Sequence, residues 1–235
     1  MNELPAGARR IAFFGGSFDP PHLGHLTIAR AARDALDLDA VLFAPVGAQP
    51  LKPKGSTAPF DDRVAMTELA IRGDAAFSVS LADAPSSSSQ PNYTVDTLLR
   101  LRGALPDGGA LFCLMGADSF LSLRKWRRAV EVPFAAQLIV ASRPGLRLDD
   151  LSAGLPQGVT IDAADADCAE GGSANEMRCF RLRNPAGETA GFYLLPGLFV
   201  EISATEIRKT IRSGAAGGLL PEAVCAYIRE HRLYQ

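Results

Sequence analysis

Residues 15–25 read Gly15-Gly16-Ser17-Phe18-Asp19-Pro20-Pro21-His22-Leu23-Gly24-His25, set between the apolar run Ile11–Phe14 and the sequence LTIARAARDAL of 26–36. A strand covered on both faces is apolar throughout, and a glycine turn leading from it into a helix opens a parallel β–α unit. Gly15 and Gly16 let the backbone turn tightly and expose N–H groups with no Cβ in the way. Pro20 and Pro21 stiffen the loop. The helix is predicted from Gly24 to about Leu36, and His22 and His25, three apart at its opening, share a face. A helix N-terminus favours an anion. Two histidines, bare amides and a positive dipole end together suit a polyphosphate. Alone, a glycine loop after a strand is a weak signal. The histidine pair could also ligate a metal, but no third Cys, His or carboxylate stands at matching spacing, so no protein metal site is expected. Two of the chain's three histidines fall within these four residues.

Outward from this loop the alternation continues. Ala40–Ala44, Phe77–Ser80, Ala110–Met115 and Gln137–Ser142 read as strands, and Asp61–Arg72 and Thr94–Leu105 as helices. Pro45–Pro59 holds four prolines and two glycines, and Asp83–Asn92 four serines and two prolines. Long loops of this kind usually carry function or move. In an open parallel sheet, ligands bind beyond the carboxyl ends of the strands, where these loops fall. From Pro144 to Gly191 the pattern weakens to short strand-like pieces at Val159–Ile161, Arg178–Leu182 and Phe192–Leu195. The expectation is one domain over 1–235 with a surface insertion at 145–191. Order returns at Leu198–Ile202, followed by helices at Ala204–Ser213 and Pro221–His231.

Composition bounds the function. With 235 residues, 47% of them hydrophobic and 21% charged, the chain can bury a full α/β core and is ordinary for a soluble protein. A net charge of −2 gives no bulk basic field for a nucleic-acid backbone. Cys113, Cys168, Cys179 and Cys225 stand far apart, which fits thiols in a reducing cytoplasm better than a disulfide framework or cysteine metal site. No stretch approaches the ~20 apolar residues of a membrane span, and Ile11–Phe14 is too short for a signal-peptide core. A cytoplasmic protein with neither nucleic-acid nor membrane partner is expected.

A second motif lies near the other end. In Ile202-Ser203-Ala204-Thr205-Glu206-Ile207-Arg208-Lys209, Ser203 and Glu206 form an S-x-x-E capping box that starts a helix with outward N–H groups. Arg208 projects one turn in, where a guanidinium can clamp a phosphate with two donors. Taken singly these are a helix cap and a solvated surface charge.

Gly-x-Phe-Asp-Pro-x-His-x-Gly-His at 16–25 and Ile-Ser-x-Thr-x-x-Arg at 202–208 resemble the paired signatures of the nucleotidyltransferase superfamily that sets two loop histidines on ATP phosphates. Within it, Pro91-Asn92-Tyr93-Thr94-Val95-Asp96-Thr97-Leu98, the Gly116-Ala117-Asp118-Ser119 loop followed by Trp126, Ser142-Arg143-Pro144-Gly145 and the C-terminal helix resemble the bacterial nicotinate mononucleotide adenylyltransferases. The resemblance covers nearly the whole chain outside 145–191. It implies a Rossmann-like, doubly wound parallel sheet with C-terminal helices, and transfer of the adenylyl group of ATP to nicotinic acid mononucleotide in NAD biosynthesis, with Mg²⁺ entering on ATP. A homo-oligomer is left open. By the same resemblance His22, His25 and Arg208 are the catalytic phosphate ligands. Gly15, Gly16, Ser17, Phe18, Lys52, Ser203 and Thr205 complete the ATP site. Tyr93, Thr94, Asp118 and Trp126 receive the mononucleotide, Trp126 by stacking on its pyridine ring. One departure concerns the loop that in this family usually reads Pro-Pro-His-Lys or Pro-Pro-His-Arg: it is Pro50-Leu51-Lys52 here, so Leu51 carries no role. The rivals are a relative acting on phosphopantetheine or a cytidylyl acceptor, and a nucleotide-binding protein without turnover.

Overall fold

Each apolar run becomes a strand whose alternate side chains feed two separate cores. The computed structural model describes residues 4–51, 55–86, 90–142, 151–163, 177–195, 203–212 and 218–235. Strand β1 (Arg10–Gly16) is followed by α1 (Leu23–Leu36), β2 (Ala40–Pro45), α2 (Phe60–Ile71), β3 (Phe77–Val79), α3 (Thr94–Gly103) and β4 (Ala110–Gly116). Next come α4 (Ala117–Leu121), a 3₁₀ turn at Leu123–Lys125, α5 (Val132–Ala135), β5 (Gln137–Ala141), β6 (Thr160–Ala163), β7 (Arg178–Arg183), β8 (Thr189–Leu195), α6 (Ala204–Arg212) and α7 (Glu222–Glu230).

Among the described residues one sheet of eight strands has the order β3-β2-β1-β4-β5-β8-β7-β6. The first six pair in parallel, with Phe14 opposite Phe43, Phe13 opposite Cys113 and Leu138 opposite Phe192, while β7 and β6 continue it antiparallel. Ile11 and Phe13 join α3, α4 and α5 in one core, through Val95, Leu98, Phe120 and Val132. Ala12 and Phe14 join α1, α2, α6 and α7 in the other, through Leu26, Ala29, Met66, Ile207, Val224 and Ile228. Strand side chains alternate faces, so a run with no polar residue requires helices on both sides, and this doubly wound α/β arrangement supplies them. The stripe of α1 that meets the sheet is Leu26, Ala29, Ala32 and Leu36, spaced at three and four residues as a core-facing helix requires.

The connection after β1 runs to one face and the connection into β4 to the other. A crevice therefore opens between the carboxyl ends of these neighbouring strands, the switch point where open α/β sheets take ligands.

Two expectations change. The expected Gly116-Ala117-Asp118-Ser119 loop instead caps and begins α4, with Phe120 fully buried. Within 145–191, β6, β7 and the start of β8 extend the central sheet, and Leu182 is fully buried. Their polar alternation, as in Arg178-Cys179-Phe180-Arg181-Leu182-Arg183, belongs to strands covered on one face only. That mimics surface sequence. The expected strand Leu198–Ile202 and residues 143–145 lie outside the described residues.

Candidate active site

A cavity of about 990 Å³ occupies the crevice. Its lining includes Gly15, Gly16, Ser17, Phe18, His22, His25, Tyr93, Thr94, Asp118, Trp126, Ser203, Thr205 and Arg208. The structure thus brings together all the residues singled out in the sequence except Lys52, which lies outside the described residues.

At the end of β1 packing leaves no room for a side chain at Gly15 and crowds one at Gly16. A Cβ on Gly15 would stand 2.8 Å from Cε1 of Phe13, and one on Gly16 would stand 3.2 Å from Cζ of Phe18. Bare backbone is therefore what fits between these rings. His22 occupies the N-cap position of α1 and is buried, with extended backbone. Its N–H donates to Nδ1 of His25 at 3.2 Å, and the two imidazoles stack with centroids 3.7 Å apart. The rings of Phe14 and Phe18 stand edge-on to His25 at 5.9 and 5.0 Å. Burial holds the His22 pKa down to about 4. His25 is held well below the usual range, first by desolvation and then by the neighbouring His22. Both rings are neutral at pH 7. Because Nδ1 of His25 accepts a hydrogen bond, its proton sits on Nε2.

Arg208, on α6, reaches back to the β1 loop. Its Nη1 donates to the backbone carbonyl of Asp19 at 2.7 Å and stands 3.7 Å from Oδ2 of the same residue, while Nη2 donates to Oγ1 of Thr205 at 3.3 Å. Beneath lies a polar network with no signature in the local sequence. Asp19, buried, accepts the N–H groups of Thr57 and Ala58 at 2.6 and 3.0 Å and the hydroxyl of Tyr234 at 2.8 Å. Arg63, 2% exposed, donates to the carbonyls of Ser17, Val46 and Ala58. Its pKa is lowered by burial, against the pull of Asp19. An arginine with two-pronged geometry can close several carbonyls at once, and here it ties the loops after β1 and β2 together.

The opposite wall is looser. Tyr93 precedes α3, and the first N–H groups of that helix, at Thr94 and Val95, have no acceptor within the helix. Trp126 is half-buried, donates from Nε1 to Oγ of Ser122 at 3.0 Å and packs at the margin of one core. The Arg127 guanidinium lies 4.6 Å from the Tyr93 ring centre, a contact the sequence did not announce. Asp118 is exposed, on α4 rather than in a loop. Asp83, buried at the cavity, accepts from Oγ1 of Thr97 at 2.5 Å, and burial raises its carboxyl pKa. Leu51 faces the cavity, 53% exposed. Among the described residues no group of three or more His, Cys, Asp or Glu is placed to hold a metal ion, and no helix is long and apolar enough to cross a membrane.

Residues 13–210 match the family model described as cytidylyltransferase-like. A protein of Solibacter usitatus described as a probable nicotinate-nucleotide adenylyltransferase is 38% identical over 225 residues, covering 96% of this chain and 99% of that one. One of the same description from Pelobacter propionicus is 34% identical over 226 residues, covering 96% and 98%. Among solved structures, Plasmodium falciparum nicotinic acid mononucleotide adenylyltransferase complexed with NaAD superposes with a TM-score of 0.66 over 96% of this chain and 97% of that chain. Its 16% identity makes that a likeness of fold.

Proposed function

The chain belongs to the cytidylyltransferase-like family, and from that premise we propose that it transfers the adenylyl group of ATP to nicotinic acid mononucleotide, releasing pyrophosphate. The observation that carries this reading is the meeting of His22 and His25 with Arg208, whose guanidinium bonds a loop residue 189 positions away, on a cavity whose other wall offers Tyr93, a helix N-terminus and Trp126. Relatives described as nicotinate-nucleotide adenylyltransferases support the choice of substrate.

In the reaction, an oxygen of the mononucleotide phosphate attacks the α-phosphorus of ATP in line with the bond to the β-phosphate. A phosphorus–oxygen bond forms as that bond breaks, and pyrophosphate leaves with the electron pair. The nucleophile is already an anion at neutral pH, so no general base is needed. Catalysis is then positioning and charge stabilisation. We assign Nε2–H of His25 and the ring of His22 to the α- and β-phosphate oxygens, and Arg208 to the departing pyrophosphate. The Gly15–Ser17 backbone, Phe18, Ser203 and Thr205 complete the ATP site, to which we also assign Lys52. Tyr93, Thr94 and Trp126 would hold the nicotinate, and Asp118 a ribose hydroxyl.

Enzymes of this class use a divalent metal with ATP, and Mg²⁺ is our assignment. The donors facing the phosphates are imidazole and N–H groups rather than clustered carboxylates, which suits an ion held by phosphate oxygens and water. When bound it would neutralise phosphate charge. Free thiols at Cys113 and Cys225 are in keeping with a cytoplasmic setting.

The test is pyrophosphate release from ATP or CTP against nicotinic acid mononucleotide, its carboxamide counterpart, phosphopantetheine and alcohol phosphates. ATP with nicotinic acid mononucleotide should give the highest kcat/KM. The acid should exceed the amide at least about tenfold, because an amide NH₂ would leave helix N–H donors unpaired. Equal kcat/KM for acid and amide would remove the proposed role of those donors. Faster turnover with phosphopantetheine, or none with any acceptor, would overturn the reading.

A further inference from the structure

We propose that Tyr234 is a positioning residue for Arg208, acting through the buried carboxylate of Asp19. After α7 the backbone takes left-handed conformations at Arg232 and Tyr234, with φ of 53° and 64°, a region bulky side chains rarely adopt. The Tyr234 side chain is buried there, 5% exposed, and its hydroxyl meets Oδ1 of Asp19 at 2.8 Å. Burial and the adjacent carboxylate push the phenol pKa up, so it remains a donor.

The carboxylate has several claimants. Oδ1 accepts from Tyr234 and from the N–H of Ala58, and Oδ2 from the N–H of Thr57. Arg208 stays at 3.7 Å from Oδ2 and bonds the neighbouring backbone carbonyl instead. A buried carboxylate short of one donor draws the nearest cation closer, because unmet acceptor capacity is costly in low dielectric. The hydroxyl of Tyr234 fills that capacity. Arg208 is thereby kept beside the cavity without a closed, two-pronged ion pair to Asp19, and a phosphate can take its guanidinium. The carbonyls around this point are fixed independently by Arg63, so the loops keep their places while the carboxylate's bonds change.

The inference rests on the assignment of Arg208 to ATP phosphate. If wild-type protein releases no pyrophosphate with any acceptor, that assignment fails; if turnover is normal, the variants below test Tyr234 alone. Tyr234→Phe should raise KM for ATP about fivefold, the scale of one typical net hydrogen bond. It should leave kcat within about twofold and KM for the mononucleotide unchanged. In an Arg208→Ala background the same substitution should add nothing to KM for ATP, since residues acting through one another are not additive. Parallel changes in both KM values, no change in either, or an effect of full size in the Arg208→Ala background would overturn the proposal. If the phenylalanine variant does not fold, 3,5-difluorotyrosine at 234 keeps a stronger donor of nearly the same shape. KM for ATP at or below wild type then supports the proposal, and a rise overturns it.

Discussion

Around the β1 loop the two histidines are desolvated and neutral, and a polar network ties four distant segments together: His22 to His25, Arg208 to Asp19, Asp19 to Tyr234, Arg63 to three carbonyls. Around Tyr93 and Trp126 the side chains are half-buried at the margin of a core, with Trp126 bonded to Ser122 and Arg127 over Tyr93. The difference follows what each wall must do. Charge that develops during reaction is stabilised best by donors already oriented where water is excluded. A flat ring needs only a face to lie on. On the proposed reading, the wall that would handle charge holds a buried polar network, and the wall that would receive the acceptor is more open.

The largest effect should come from breaking the rigid wall at the reacting phosphorus. His25→Ala removes a donor assigned above to the phosphate oxygens and should lower kcat about 10²–10³-fold, with KM for the mononucleotide nearly unchanged. Circular dichroism establishes folding. A folded variant with near-full kcat would mean that the loop histidines do not serve the phosphates.

That wall should also leave a mark on stability against pH. His22 has a pKa of about 4 in the fold and an ordinary value of 6.5. Between these values the unfolded chain binds a proton that the fold refuses. The stabilisation is whole above about 6.5 and is lost as pH falls toward 4. At pH 4.5 the loss through His22 is about 2.5 kcal/mol. Urea unfolding at pH 7 and 4.5 measures it: wild type should lose about that much more than His22→Gln. Equal losses would mean that His22 titrates normally.

Arg208 tests the same wall where charge is full before and after reaction. Its loss should appear mainly in KM for ATP, about tenfold for Arg208→Ala, with a smaller change in kcat. Arg208→Lys should recover only part, because the two-pronged geometry is gone. A drop confined to kcat would move Arg208 to the transition state.

The two walls also differ in how far the sequence revealed them. The β1 loop was legible because its strand, glycines, histidines and helix start are contiguous, and each has a local reason to be there. The six-stranded parallel part of the sheet was legible for the same reason, through apolar runs such as Ile11–Phe14 and Ala110–Met115. What supports the loop was not. Arg63 looks like any charged residue early in a helix, and Tyr234 like a terminal aromatic, until folding brings both beneath Asp19. Strands β6 and β7 showed as short strand-like pieces, but their polar alternation hid that they join the central sheet, and the turn-like Gly116-Ala117-Asp118-Ser119 hid α4. Period and motif are local quantities. A network between residues 19, 63, 208 and 234 has no period.

The smallest effect, and the one that sharpens the contrast most, concerns Trp126. It is half-buried, with its indole N–H on Ser122 and its ring between the cavity and the margin of a core. If it offers a face to the pyridine ring, Trp126→Ala removes a stacking contact of about 1 kcal/mol, the low end for base–aromatic pairs because the site is open to water. KM for the mononucleotide should then rise about fivefold, KM for ATP should stay, and the melting temperature should move little. A tryptophan that is part of the core behaves otherwise: truncation costs about 3–5 kcal/mol of stability, with both KM values intact in the protein that remains folded. Thermal melts and steady-state kinetics on one preparation separate these outcomes. The second would mean that the acceptor wall is packed as rigidly as the phosphate wall, and that the difference between them lies in charge alone.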